Sequence, residues 1–174
     1  MKVAIRYQSR GGNVKAMAEA IARGCGVDAV SFDSADAQLT EPVDLLFVGG
    51  GLYGFQLDKD FRAYLENLPE DYVGEAICFG SSMLTRRPVL LIQDVLKSKG
   101  IKINKQAIWS RNHPNENLIE VIEYFAENEL TRDRSLDGLS PAMIFKKSQE
   151  RMEQRKAEAA EREANDATGE DDEA

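Results

Sequence analysis

Apolar residues recur along the first 130 positions in two rhythms, short solid runs and helically spaced stripes. Val3-Ala4-Ile5-Arg6-Tyr7 predicts a first short strand. Val14, Met17, Ala18, Ile21, Ala22 and Cys25 then follow at helical spacing, with Gly26 as the stop. Ala29-Val30-Ser31-Phe32 is a second, weaker strand, and Leu45-Leu46-Phe47-Val48 a solid apolar third that ends at Gly49. Phe61, Tyr64, Leu65 and Leu68 mark a helix closed by Pro69. Ala76-Ile77-Cys78-Phe79 is another buried strand, ending at Gly80. Pro88 suits the first turn of a helix carrying Val89, Leu91, Ile92, Val95 and Leu96 and stopped by Gly100. Ile103 to Trp109 reads as a fifth strand, and Leu118, Ile119, Ile122, Phe125 and Ala126 as a last helix. The stretch between the second and third strands is short and only weakly helical.

Strands alternating with helices predict an α/β fold, a parallel sheet covered on both faces. The solid runs at 45–48 and 76–79 fit burial on two sides. Ligands of such sheets bind outside the carboxyl ends of the strands. That rule singles out three connections: residues 8–14, 49–58 and 80–88.

The 174 residues carry 22 Lys and Arg against 30 Asp and Glu, a formal charge of −8. This balance argues against a general nucleic-acid binder, which needs a cationic face for phosphates. No apolar run approaches the ~20 residues of a membrane span. The opening Met1-Lys2-Val3-Ala4-Ile5-Arg6 turns polar too soon for a signal peptide. Two cysteines, Cys25 and Cys78, make neither a disulfide framework nor a metal cluster. A reducing, cytoplasmic setting is therefore expected.

The pattern changes near Leu130, which places one domain at 1–130 and an appendage at 131–174. Ser140-Pro141 reads as an N-cap with proline in the first turn, opening a charged helix over about 140–164. A linker precedes it. Asp166 to Ala174 holds five acids and no base, and is expected to be disordered. Its simplest role is solubility; a basic partner is the sharper alternative.

Each singled-out connection carries its own chemistry. In Ser9-Arg10-Gly11-Gly12-Asn13-Val14, two glycines let the backbone turn tightly and present successive N–H groups at the positive end of a helix. That arrangement suits a phosphate without needing a lysine. An ordinary strand-to-helix turn also favours Gly and Asn, so both uses stay open. The second connection, Gly49-Gly50-Gly51-Leu52-Tyr53-Gly54-Phe55, is a literal G-x-G-x-x-G. It lies in the wrong βαβ position for a dinucleotide fingerprint, and the next strand ends without an acid. It reads instead as a flexible loop that brings backbone close to a flat ligand. Tyr53 or Phe55 then stacks on the ligand or packs beneath the loop. The third, Gly80-Ser81-Ser82-Met83-Leu84-Thr85-Arg86-Arg87, offers hydroxyls and a local basic spot in an acidic chain. His113 reads as part of a turn leading into a helix, and Cys78 as a small core residue.

The run Tyr7-Gln8-Ser9-Arg10-Gly11-Gly12-Asn13-Val14 resembles the phosphate loop of flavodoxins, S-x-T-G-N-T. Ser9, Gly12 and Asn13 match; Gly11 and Val14 stand where that family has threonines. The alternation over residues 1 to about 130 is similar to a short-chain flavodoxin. The resemblance implies a three-layer α/β/α sandwich with a five-stranded parallel sheet in order 2-1-3-4-5. It implies FMN, with Ser9, Arg10, Gly11, Gly12, Asn13 and Val14 around its phosphate. Gly51, Leu52, Tyr53 and Gly54 would lie against one flavin face, Gly54 offering a peptide that flips toward the reduced ring. Gly80, Ser81 and Ser82 would flank the other face, where Met83, Leu84 and the arginines replace the family's aromatic and acids. The function so implied is electron transfer with redox partner proteins. The alternatives are an FMN-dependent NAD(P)H:quinone-type reductase and a flavin-free binding module of the same fold. No catalytic side-chain constellation stands out, which suits a carrier more than a catalyst.

Overall fold

The computed structural model describes residues 1–131 and 140–169. The chain divides into two compact units, Met1–Ser135 and Leu136–Ala174. In the first, strand β1 (Val3–Tyr7) leads through residues 8–12 into helix α1 (Asn13–Cys25) and then β2 (Ala29–Ser31). The chain returns as β3 (Val43–Tyr53), turns back briefly as β4 (Gln56–Leu57), and forms α2 (Lys59–Glu66). A 3₁₀ turn precedes β5 (Val73–Ser81); α3 (Arg87–Ser98), β6 (Ile103–Ser110) and α4 (Glu116–Thr131) complete the unit.

The sheet order is β2-β1-β3-β5-β6, all neighbours parallel, with β4 antiparallel to the end of β3. Discounting that short addition, the main strands run in the order 2-1-3-4-5. Solid apolar strands are buried on both sides because each face has its own helical cover. Ile5, Phe47, Ile77 and Phe79 pack with Met17 and Ile21 of α1 and Ile122 and Phe125 of α4. Leu46, Val48 and Cys78 pack on the other face with Phe61 and Leu65 of α2 and Ile92 and Leu96 of α3. The result is a three-layer α/β/α sandwich.

The crossover from β2 to β3 contains no helix, in keeping with its weak helical pattern. Arg6 organises it from below. This strand residue is 8% exposed. Its guanidinium donates to the carbonyls of Ala37 (2.6 Å), Ile5 (3.0 Å) and Asp36 (3.3 Å). Tyr64 Oη also donates to the Ala37 carbonyl, at 2.7 Å. Carbonyls that a helix would satisfy internally are met here by side chains from β1 and α2.

Two strand ends differ from the sequence expectation. β3 continues through Gly49, Gly50 and Gly51 to Tyr53, and β5 through Gly80 to Ser81. The glycine run is therefore extended sheet and not a flexible loop. Its missing side chains make room for rings: a Cβ on Gly49 would sit 2.3 Å from the Phe79 ring, and one on Gly50 2.6 Å from Phe61.

In the second unit, α5 spans Pro141–Gly169 and is capped by Ser140, whose carbonyl accepts from the Met143 (2.9 Å) and Ile144 (3.0 Å) amides. The helix thus runs past residue 164 to Gly169, so that Asp166-Ala167-Thr168-Gly169, the start of the stretch expected to be disordered, is helical. The expected linker at 132–139 and the acidic end at 170–174 lie outside the described residues.

Candidate functional site

The carboxyl ends of β1, β3 and β5 open into a cleft of ≈ 570 Å³. One wall is the β1–α1 connection. Gly12 occupies the N-cap of α1 at φ 85°, ψ −18°, a left-handed conformation that a side chain resists, and no side chain caps the helix. Ser9 Oγ accepts from the Gly12 amide at 3.1 Å, and the first helical bond runs from the Ala16 amide to the Gly12 carbonyl. The amides of Gly11, Asn13, Val14 and Lys15 have no acceptor among the described residues. Uncommitted donors at the positive end of a helix form an anion-binding cradle. Asn13 is aimed from the side: Nδ1 of His113 lies 3.2 Å from its Oδ1, leaving Nδ2 as the amide's free donor.

The second wall is the β3–β4 hairpin. Tyr53 pairs with Gln56, so Gly54 (φ 58°) and Phe55 (φ 65°) form a two-residue turn with both residues left-handed. Tyr53 is tied to the phosphate-type loop twice. Its Oη accepts the Arg10 amide at 2.9 Å, and the Arg10 guanidinium lies 4.2 Å from its ring centroid. Arg10 also pairs with Asp58, the N-cap of α2. Burial pushes the Asp58 carboxyl up, but the Phe61 amide, the Arg10 guanidinium and the Asp60 amide outweigh it and hold it below its ordinary 3.8.

The third wall follows β5. Ser82 Oγ donates to the Thr85 carbonyl at 2.6 Å, and Ser81 Oγ reaches the Asn112 carbonyl at 3.4 Å. Both hydroxyl protons thus close the loop, and the Ser82 oxygen also accepts the Thr85 amide at 3.4 Å. Arg87 Nε donates to the Phe55 carbonyl at 2.9 Å, joining this wall to the hairpin tip.

No family model and no curated protein sequence matches the chain. Solved structures do. A flavodoxin from the domain Archaea superposes with a TM-score of 0.65 at 19% identity, over 76% of this chain and 98% of that one. Flavodoxin 1 from Bacillus cereus gives 0.62 at 20% identity, over 76% and 99%. A flavodoxin, WrbA-like protein from Agrobacterium tumefaciens gives 0.61 at 14% identity, over 76% and 96%. The chain has the flavodoxin fold.

Within that fold, ten of the residues singled out from sequence line one cleft: Ser9, Gly11, Asn13 and Val14 from the first wall, Gly51, Leu52, Tyr53 and Gly54 from the second, Ser81 and Ser82 from the third. Three do not. Arg10 turns away to Asp58 and backs the Tyr53 ring. Gly12 shapes the cap behind the cleft edge. Gly80 is sheet interior, where an added Cβ would meet the Gly50 carbonyl at 2.7 Å and Pro88 at 3.2 Å.

The sequence reading missed the fourth strand end of this flavodoxin fold. After β6, Arg111 enters the cleft lining, and His113, read as part of a turn, also braces Asn13. The strand-end rule that selected the other loops applied equally to this one. Among the described residues, the charged ones lining the cleft are Arg87 and Arg111, and no carboxylate lines it. The cysteines are remote from it in character as well. Burial pushes both thiols up to about 12, helped at Cys25 by Glu129 and opposed at Cys78 by Lys97.

Proposed function

We propose that the cleft holds FMN and that the protein carries electrons through it. One observation carries this reading. Uncommitted amides at the α1 N-terminus, the Tyr53 ring and the Arg87 and Arg111 guanidiniums share one cleft at the strand ends of a flavodoxin fold. The amides of Gly11, Asn13 and Val14, with Asn13 Nδ2, would hold the phosphate. Tyr53, held by the Arg10 amide, would cover one face of the ring, and Met83 and Leu84 would approach the other. Arg87 and Arg111 favour negative charge in the cleft. Bound FMN supplies the electron chemistry that these side chains lack. Fold neighbours named as flavodoxins support the same reading.

The test is an absorbance spectrum of purified protein after adding excess FMN and desalting. Retained two-band flavin absorbance, with FMN released on denaturation, is the expected result; a colourless protein refutes the proposal. Gly11→Thr sharpens it. A Cβ there meets nothing within 4 Å. The added hydroxyl should tighten FMN by about 0.5–1.5 kcal/mol, roughly 2- to 12-fold. A second reading, a reductase using NAD(P)H, is favoured by the two cleft arginines. Steady-state oxidation of NAD(P)H by holoprotein with a quinone present separates it from a carrier.

A further inference from the structure

The rim of the cleft combines exposed apolar side chains with arginines that pair with no carboxylate of the described residues. Phe55, Met83 and Leu84 are 73%, 72% and 75% exposed, yet all three border the same opening. Phe55 is also held at φ 65°, a costly conformation for an aromatic residue. Arg87 and Arg111 stand among them and Arg86 adjoins them in the chain, its guanidinium 5.9 Å from the Trp109 ring centroid; all three are exposed, and no carboxylate of the described residues pairs with any of them. Several other cations of this unit do have partners, among them Lys2 with Glu41, Arg10 with Asp58, Arg23 with Glu123 and Lys102 with Glu75.

We propose that this rim is a docking surface for a redox partner protein whose contact face is acidic around an apolar centre. The proposal rests on the electron-transfer reading for its purpose, but its recognition chemistry belongs to the rim itself. The apolar side chains line the cleft mouth and are largely exposed there. A small acceptor inside the cleft leaves most of that surface in water, whereas a protein face covers it. Clustered exposed apolar groups ringed by polar ones mark such interfaces. The charge argument gives the partner's sign. At physiological ionic strength fields decay over about 8 Å, so a docking face senses the local arginines more than the remote acids that make the chain −8.

The two levels of charge make opposite forecasts, which allows a clean test. Cytochrome c and its succinylated form present one fold with basic and acidic surfaces. Each, in the ferric state, is titrated into ¹⁵N-labelled full-length protein, with oxidised FMN and without it, at low and physiological salt. No electron moves in these mixtures; the readouts are affinity and the map of shifted amides. The expected result is roughly tenfold tighter binding of the succinylated form, weakening with salt, with shifts at 54–55, 83–87 and 111. Arg86→Glu with Arg111→Glu should invert the preference, and Met83→Ser with Leu84→Ser should weaken what binding remains at high salt.

Preference for the basic form by wild type, as the net charge alone dictates, overturns the proposal. So does binding of neither form. Shifts caused by anthraquinone-2,6-disulfonate alone would overturn it in favour of a small anionic acceptor, and concentration-dependent shifts without cytochrome in favour of a second copy. Flavin retention is read separately by absorbance. An acidic preference without FMN retention therefore sinks the cofactor reading alone, and FMN retention without that preference sinks the docking proposal alone.

Discussion

Adding one methyl group at Gly11 or at Gly12 should have opposite effects on stability, although the residues adjoin. At both positions a Cβ meets nothing within 4 Å, so neither substitution creates a clash. They differ in backbone. Gly12 caps α1 at φ 85°, while Gly11 is not among the positive-φ residues. Placing an L-residue in the left-handed region costs about 1–2 kcal/mol. Replacing glycine by alanine also restricts the unfolded chain, which stabilises by about 0.4–1 kcal/mol where the native backbone suits alanine. Gly11→Ala should therefore gain about 0.4–1 kcal/mol, and Gly12→Ala should lose about 1 kcal/mol net. The unfolded-state contribution is common to both and cancels, so the difference between the variants isolates the cost of the left-handed cap. Urea unfolding of the full chain, followed by far-UV circular dichroism, reads it as a change in midpoint at unchanged m. Equal midpoints would refute the reasoning: the α1 cap would not then be left-handed in solution, and the set of uncommitted amides would have to be redrawn.

Asp58 gives a pH-dependent counterpart. Its folded carboxyl lies below 3.8, so the stability it contributes is present at neutral pH and fades as pH falls below 3.8 through the lower folded value. Asp58→Ala should cost about 1 kcal/mol at pH 7 through the lost cap on the Asp60 and Phe61 amides. The gap between wild type and variant should narrow by pH 3, and urea midpoints at the two pH values check it. The cysteines should be silent in the folded state. Both are buried with thiols pushed up to about 12, so Ellman's reagent should find none until denaturant is added and then two. Rapid labelling of either in native protein would contradict the packing of α1 or β5.

The layers of the fold were legible in local pattern. Runs such as Leu45–Val48 and Ala76–Phe79 are too uniformly apolar for a sheet with one wet face, and the stripes of α1, α3 and α4 supply the cover. The cradle was legible for the same reason. A left-handed glycine, a serine hydroxyl and helix-start amides are all contributed within residues 9–15, so chain proximity is spatial proximity.

The end of β3 was hidden because glycine has poor strand propensity. Gly49 and Gly50 are strand only because the Phe79 and Phe61 rings, from other elements, fill the space beside them. Arg10 sits inside a phosphate-type motif, yet its side chain serves Tyr53 and Asp58, 43 and 48 residues away. Arg111 joins the cleft, and His113 reaches Asn13, only because β6 lies beside β5 and ends at the same edge. The sequence by itself determined what is local: where the main strands and helices lie, though not where each ends, and that a helix begins with exposed amides. Tertiary structure alone decided what depends on distant partners. A side chain's charge is neutralised or left free by residues far along the chain, and that contrast divides Arg10, paired with Asp58, from Arg87 and Arg111, left facing the cleft.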